Sequence, residues 1–184
     1  NNIYISTPEI HLPEEIISSD KIESLLNPLY ERLRLPQGRL ELMTGIKERR
    51  YWQQGTLPSD LAVSAASKLI EKHKIEKNEI DQIVHASVCR NFLEPSTASV
   101  IHDQLGLSPE CMIYDLSNAC LGVMSSILTS AKLIESGLIK NALIVSGENG
   151  GPLIFNTIEQ LNKSTTITRK NIKKYIANLT IGSA

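Results

Sequence analysis

Two short, nearly unbroken apolar segments, residues 80–88 and 142–146, decide what this chain can fold into. Runs of that length without polar alternation are strands buried on both faces, the pattern of a parallel sheet covered by helices. Residues 112–116 give a third strand. Helical periodicity fills the intervals. One helix spans 59–74, with Pro58 at its entry and Leu61, Ala65, Leu69 and Ile70 on one face. A second spans 95–105 and opens at Pro95. A third spans 120–136, is apolar on most sides and so reads as a central buried helix, and is closed by Gly137. Strands alternating with helices imply right-handed βαβ units. An opening strand at 3–6, cut off by Pro8, and another beginning at 179–181 complete the set. The expected class is α/β, a mostly parallel five-stranded sheet with helices on both faces.

A polar insertion interrupts this pattern near 19–57. It begins with a helical stretch over 19–35 that breaks around Pro28 and stops at Pro36. Beyond Gly151 the chain turns polar again, and 147–151 reads as a plain turn. Residues 165–177 predict a basic amphipathic helix. The basic stretch Lys163, Arg169, Lys170, Lys173 and Lys174 is opposed only by Glu159 nearby, which makes it a solvated face or a site for phosphate or an anionic carrier. Over all 184 residues, 19 Lys+Arg against 20 Asp+Glu leave a net charge of −1, with no global pull toward nucleic acid or acidic membranes. No apolar run approaches the ~18 residues of a membrane-spanning helix. Three cysteines without paired spacing argue against a disulfide framework and for a reducing cytoplasm. No Cys-x-x-Cys or His-x-x-x-His spacing suggests a metal site.

The segment Tyr114-Asp115-Leu116-Ser117-Asn118-Ala119-Cys120-Leu121-Gly122 is the most informative for chemistry. It places Cys120 at a strand-to-helix junction, where unpaired N–H groups can stabilise a thiolate or an oxyanion and small neighbours admit a carbonyl. The alternative is an inert buried cysteine. Glu94, just before a Pro-initiated helix, is either a dipole partner or a general base. His85, inside an apolar strand, reads as a satisfied core histidine and His73 as an exposed one. Cys89 and Cys111 read as small core fillers. Arg49, Arg50 and Trp52 read either as a surface pair beside a packed indole or as groups that could meet a phosphate and an aromatic base.

Thr44-Gly45-Ile46-Lys47-Glu48-Arg49, Leu93-Glu94-Pro95-Ser96-Thr97-Ala98-Ser99, Asn118-Ala119-Cys120-Leu121-Gly122 and Leu179-Thr180-Ile181-Gly182-Ser183 together resemble the thiolase-fold condensing enzymes. The group is that of 3-oxoacyl-(acyl-carrier-protein) synthase III, and the match is closest to its olefin-biosynthesis branch, which joins two acyl-CoAs. The resemblance covers nearly the whole chain and implies the N-terminal thiolase-like repeat. It makes Cys120 the acyl-accepting nucleophile. It makes Glu94 a base that reaches across a homodimer into the partner's site. Arg49, Arg50, Trp52 and Asn118 are the substrate-binding candidates.

The implied substrates are acyl-CoA or acyl carrier protein, with no other cofactor. Arg39 and Met43 stand where acetyl-CoA-type synthases carry the tryptophan and arginine that hold coenzyme A. The family's catalytic histidine and asparagine belong to a C-terminal repeat outside this chain, so the isolated chain is expected to be nearly inactive. Two rival functions follow: a decarboxylative synthase that initiates fatty-acid chains, and an inactive half-domain serving dimerisation or carrier binding.

Overall fold

The computed structural model describes residues 2–184, folded as two compact units. The first comprises the chain through His11, Gly55–Glu148 and Ala184; the second comprises Leu12–Gln54 and Asn149–Ser183.

The first unit is built on strand β3 (Gln82–His85), all four of whose residues are buried. β3 pairs in parallel with β4 (Met112–Asp115) on one side and β5 (Ala142–Val145) on the other. The five-stranded sheet expected from the sequence is thus a three-stranded parallel sheet, order β4-β3-β5, among the described residues. The expected strand at 3–6 is not formed: this segment has no regular structure, and Tyr4 and Ile5 are exposed. Just beyond it, Glu9 pairs with Lys72 of the helix that starts at Pro58.

Helix α4 (Pro58–His73) follows the expected bounds. Its buried stripe is Leu61, Ala62, Ala66 and Ile70, so Ala65 and Leu69 stand at the edge of the packed face rather than within it. Helix α5 is Thr97–Leu105 and α6 is Gly122–Glu135. The core joins Ala62, Ala66, Ile83, Ile101, Leu105 and Leu143.

α6 departs from its expected burial. Only Gly122, Ser126 and Ser130 are buried, and Met124 and Leu128 are exposed. The small stripe lets the helix approach the sheet closely, and Ser130 Oγ donates to Gln82 Oε1 of β3 at 2.6 Å. The helix therefore docks by small and polar residues, with Ile127, Leu133 and Ile134 half-buried and Val123, Met124 and Leu128 left exposed.

The second unit carries an antiparallel pair, β1 (Glu15–Ser18) with β2 (Glu48–Tyr51). The stretch read as one broken helix is two: α1 (Ser19–Leu25) and α2 (Asn27–Leu33), with Pro28 in the first turn of α2. Helix α3 is Arg39–Thr44. Helix α7 (Gly151–Lys163) stands where a turn and polar chain were expected, and buries Ile154, Ile158 and Leu161. The basic helix expected at 165–177 is not formed, and two 3-10 turns, Ile172–Tyr175 and Ala177–Thr180, replace it and the expected strand at 179–181. Side chains compete for the backbone there: Asn171 Oδ1 accepts the Thr168 N–H at 2.7 Å, and Asn171 Nδ2 donates to the Thr166 carbonyl at 3.2 Å.

A buried carboxylate organises this unit. Glu23, 1% exposed, accepts Tyr30 Oη at 2.8 Å, the Gly38 N–H at 2.6 Å and the Leu40 N–H at 2.6 Å. It thereby supplies the N-terminal cap that α3 lacks locally. Burial, then the Glu23 hydrogen bond, pushes the Tyr30 phenol well above its usual range. α3 ends at Gly45, whose φ of +70° supplies the left-handed cap, while Thr44 Oγ1 accepts the Ile46 N–H at 3.2 Å. Thr44-Gly45-Ile46 is therefore a helix stop. Glu23→Ala strands a buried hydroxyl and a buried amide, and should cost about 3 kcal/mol, read as a lower urea midpoint with an unchanged slope.

Candidate active site

Parallel pairing brings the carboxyl ends of β3 and β4 side by side, the edge where α/β sheets place their sites. The loop leaving β4 carries Cys120, which is exposed and precedes α6 by two residues. Ala119 takes φ +45°, a left-handed conformation that leaves little room for a larger side chain. The turn closes through the Leu121 N–H on the Asn118 carbonyl at 2.9 Å. Asn118 Nδ2 donates to Ser125 Oγ at 2.9 Å and so braces the loop against α6. No side chain caps α6, and the amides of its first turn face the cysteine end of the loop, where negative charge is favoured. Cys120 is thus exposed among the described residues, not the buried cysteine that was the alternative.

The loop leaving β3 carries Glu94, which is exposed and flanked by exposed Phe92 and Leu93. The loop's ends are tied down. Val88 and Cys89 donate their amides to Glu148 Oε1 at 2.7 Å and Oε2 at 3.3 Å. Thr97 and Ala98 donate theirs to Asp115 Oδ2 and Oδ1, both at 2.8 Å. Between them Asn91 grips the start of α4: its Oδ1 accepts the Ser59 N–H at 3.0 Å and its Nδ2 donates to Ser59 Oγ at 2.7 Å.

Asp115, Glu148 and Asn91 were not foreseen as site residues. Asp115 does for α5 what a local cap would do, since Ser96 makes no side-chain cap bond. Its partners lie 17 and 18 positions away, and those of Glu148 lie 59 and 60 away, so no local spacing announces them.

His85 closes β3 directly opposite Asp115 and is fully buried. It is a core histidine as expected, but not a satisfied one: its Nδ1 lies 3.6 Å from Asp115 Oδ1, too long for a strong hydrogen bond, and among the described residues neither ring nitrogen has a hydrogen-bond partner. Burial lowers its pKa and outweighs the opposing pull of Asp115 and Glu148; Arg90 lowers it further.

The coenzyme A candidates lie in the second unit. Arg49 is turned inward, its two terminal nitrogens donating to Ser19 Oγ at 3.3 and 3.2 Å. Arg50 is half-buried and donates to the Pro13 carbonyl at 2.7 Å, and Trp52 is half-buried. A cavity of about 210 Å³ opens between α2, α3 and the 3-10 turns. Leu35, Leu40 and Ile176 are among its apolar walls, and Arg34, Arg39, Arg169 and Lys173 bring four cations with no acid among the lining residues. Arg169 also holds the end of α2, with Nε on the Leu33 carbonyl at 2.6 Å. Cys111 is buried, Cys89 half-buried, and no cluster of three metal-binding side chains occurs among the described residues.

Residues 41–180 match the family described as thiolase, N-terminal domain. An acyl-CoA:acyl-CoA alkyltransferase of Shewanella oneidensis is 40% identical over 183 residues, covering 100% of this chain and 52% of that protein. A β-ketoacyl-(acyl-carrier-protein) synthase III of Aliarcobacter butzleri is 38% identical over 139 residues, covering 75% of this chain and 39% of its own. The chain thus spans about half the length, or less, of these curated relatives. Among solved structures, a glutamate-to-alanine variant of Xanthomonas campestris OleA superposes with a TM-score of 0.87 at 34% identity, covering 96% of this chain and 51% of that one. A cysteine-to-serine variant of the same enzyme, solved with lauric acid and lauroyl-CoA, gives 0.88 at 34% identity, covering 96% and 52%. The glutamate and cysteine replaced in those two variants stand 26 positions apart.

The buried imidazole sets a pH dependence. Folding excludes a proton that the unfolded chain takes up below about pH 6.5, so this contribution is complete above that pH and is lost as pH falls below it. Urea midpoints measured from pH 7.5 down to 5 should fall less steeply for His85→Gln than for the parent chain.

Proposed function

Because the chain belongs to the thiolase family through that family's N-terminal domain, we propose that its protein catalyses Claisen condensation of two acyl thioesters through an acyl-Cys120 intermediate. The observation that carries this reading is the placement of Cys120 and Glu94 on neighbouring loops at the carboxyl ends of paired parallel strands. They stand 26 positions apart, the spacing of the glutamate and cysteine replaced in the Xanthomonas enzyme.

In the first half-reaction the Cys120 thiolate attacks the carbonyl of an acyl-CoA. The carbon–sulfur bond to coenzyme A breaks, and its thiolate leaves. The oxyanion formed on the way is stabilised by backbone N–H groups at the start of α6, a type of contact worth about 2.7–4 kcal/mol per donor. In the second half-reaction the Glu94 carboxylate removes the α-proton of a second acyl-CoA. The carbanion attacks the Cys120 thioester, forming a carbon–carbon bond and returning the sulfur as thiolate. The product is a 3-oxoacyl thioester.

We assign Glu94 to the partner subunit's site in a homodimer. The exposed Phe92 and Leu93 beside Glu94 support a protein surface over that loop, since apolar side chains clustered around a charged tip gain by being covered. Arg49 is committed to Ser19, whereas the cavity of the second unit carries exposed cations, Arg34, Arg39 and Lys173, whose charge suits a phosphate. Arg50 and Trp52 remain candidates beside them, while Asn118 shapes the Cys120 loop.

The test is intact-mass spectrometry of the purified protein after incubation with tetradecanoyl-CoA, followed by product analysis. The parent protein should gain one acyl group and Cys120→Ala none. Glu94→Gln should keep the adduct while condensation falls at least about 100-fold, the usual worth of a general base. An adduct that persists in Cys120→Ala would sink the reading. Carbon dioxide released from malonyl carrier protein would favour the decarboxylative synthase instead.

A further inference from the structure

Among the described residues, no hydrogen bond or ion pair holds the Glu94 side chain itself. Its position is fixed only by the loop that carries it, 86–96, which has no regular secondary structure. Both ends of this loop are held in the same way, by a carboxylate that accepts two consecutive backbone amides. Asp115 holds the α5 end through Thr97 and Ala98. Glu148 holds the β3 end through Val88 and Cys89.

Asp115 has a further duty as the last residue of β4, but Glu148 lies beyond β5, and these two amides are the only partners of its side chain among the described hydrogen bonds. The Ser87 hydroxyl reinforces this end, accepting the Cys89 N–H at 3.1 Å and donating to the Gly147 carbonyl at 2.9 Å. A carboxylate receiving two amide protons makes charge-assisted bonds, stronger than neutral ones, so it is a stiff anchor.

We propose that Glu148 is a positioning residue for the Glu94 carboxylate: with Asp115 at the opposite end, it sets the path of the loop and hence the place where Glu94 meets the α-proton. The proposal rests on the reading of Glu94 as the base. It predicts a division of labour. Acylation needs Cys120, whose loop Glu148 does not touch; deprotonation needs Glu94, whose loop it does.

Glu148→Gln keeps the shape but turns an NH₂ toward one of the two amides, so one bond is lost and the charge with it. In the purified protein, formation of the tetradecanoyl-Cys120 adduct should stay within about twofold of the parent. Condensation with a second tetradecanoyl-CoA should fall about tenfold or more, a deficit comparable to displacement of a catalytic group by about an ångström. Amide hydrogen exchange over 86–99 should accelerate while that of α4 and α6 stays unchanged. Glu148→Asp, too short to reach both amides, should show the same split and serves if the glutamine variant does not fold.

Equal losses in both half-reactions, or a full condensation rate, would overturn the proposal. So would unchanged hydrogen exchange over 86–99, whatever the protein turns out to catalyse. Failure of the underlying reading has a different signature: Glu94→Gln would condense at the parent rate while Glu148→Gln still loosened the loop.

Discussion

Everything that positions the candidate site depends on β3 being hydrogen-bonded on both edges and buried on all four of its residues. A strand in that position has no freedom of register, because a one-residue slip would exchange every side chain between the two covered faces. The register sets His85 against Asp115 on one side and Val145 on the other. The loops that follow these three strands therefore leave from one level. Asp115 can reach back to the start of α5, and Glu148 to the start of the 86–96 loop, only because the strand ends coincide.

The packing of α6 follows from the same sheet. The helix packs on the sheet through Gly122, Ser126 and Ser130, and Ser130 serves the side-chain carbonyl of the buried Gln82, whose Nε2 donates to Tyr114 Oη at 3.3 Å. A stripe of larger side chains would hold the helix farther from the strand and move Cys120 with it. Close approach thus fixes the loop that carries Cys120, and large apolar side chains, Leu121, Met124 and Leu128, are left exposed.

Much of this was legible in the sequence. The buried strands and α4, α5 and α6 announce themselves by short apolar runs, by Pro at helix starts and by Gly137 with φ +77° after α6. Bounds failed where backbone chemistry at the ends took over, as at Cys120, which lies before the helix rather than in it. The apolar period of α6 was read as burial on most sides, but the face that packs is the small one. α7 was missed although Ile154, Ile158 and Leu161 repeat at helical spacing, because 147–151 reads as a turn and the chain beyond it as polar; Pro152 sits in the first turn of the helix, where its absent N–H costs nothing. The polar stretch 165–177 has helical charge spacing, yet Thr166, Thr168 and Asn171 bond its backbone locally.

Cys120 and Glu94 differ in how they are held. The cysteine sits in a turn closed within a few residues, so its setting is local and could be inferred from Asn118-Ala119-Cys120-Leu121-Gly122 alone. The Glu94 loop is held chiefly by long-range bonds to Asp115, Glu148 and Ser59, through groups that look unremarkable in the sequence. This asymmetry fits the two tasks of the proposed function, which asks for one group at a fixed point before a helix and another on a loop tip. The Glu94 side chain, with no bond of its own among the described residues, is as accurately placed as the anchors at the loop's two ends, and two carboxylates with four amides make those anchors firm without restricting the carboxylate between them.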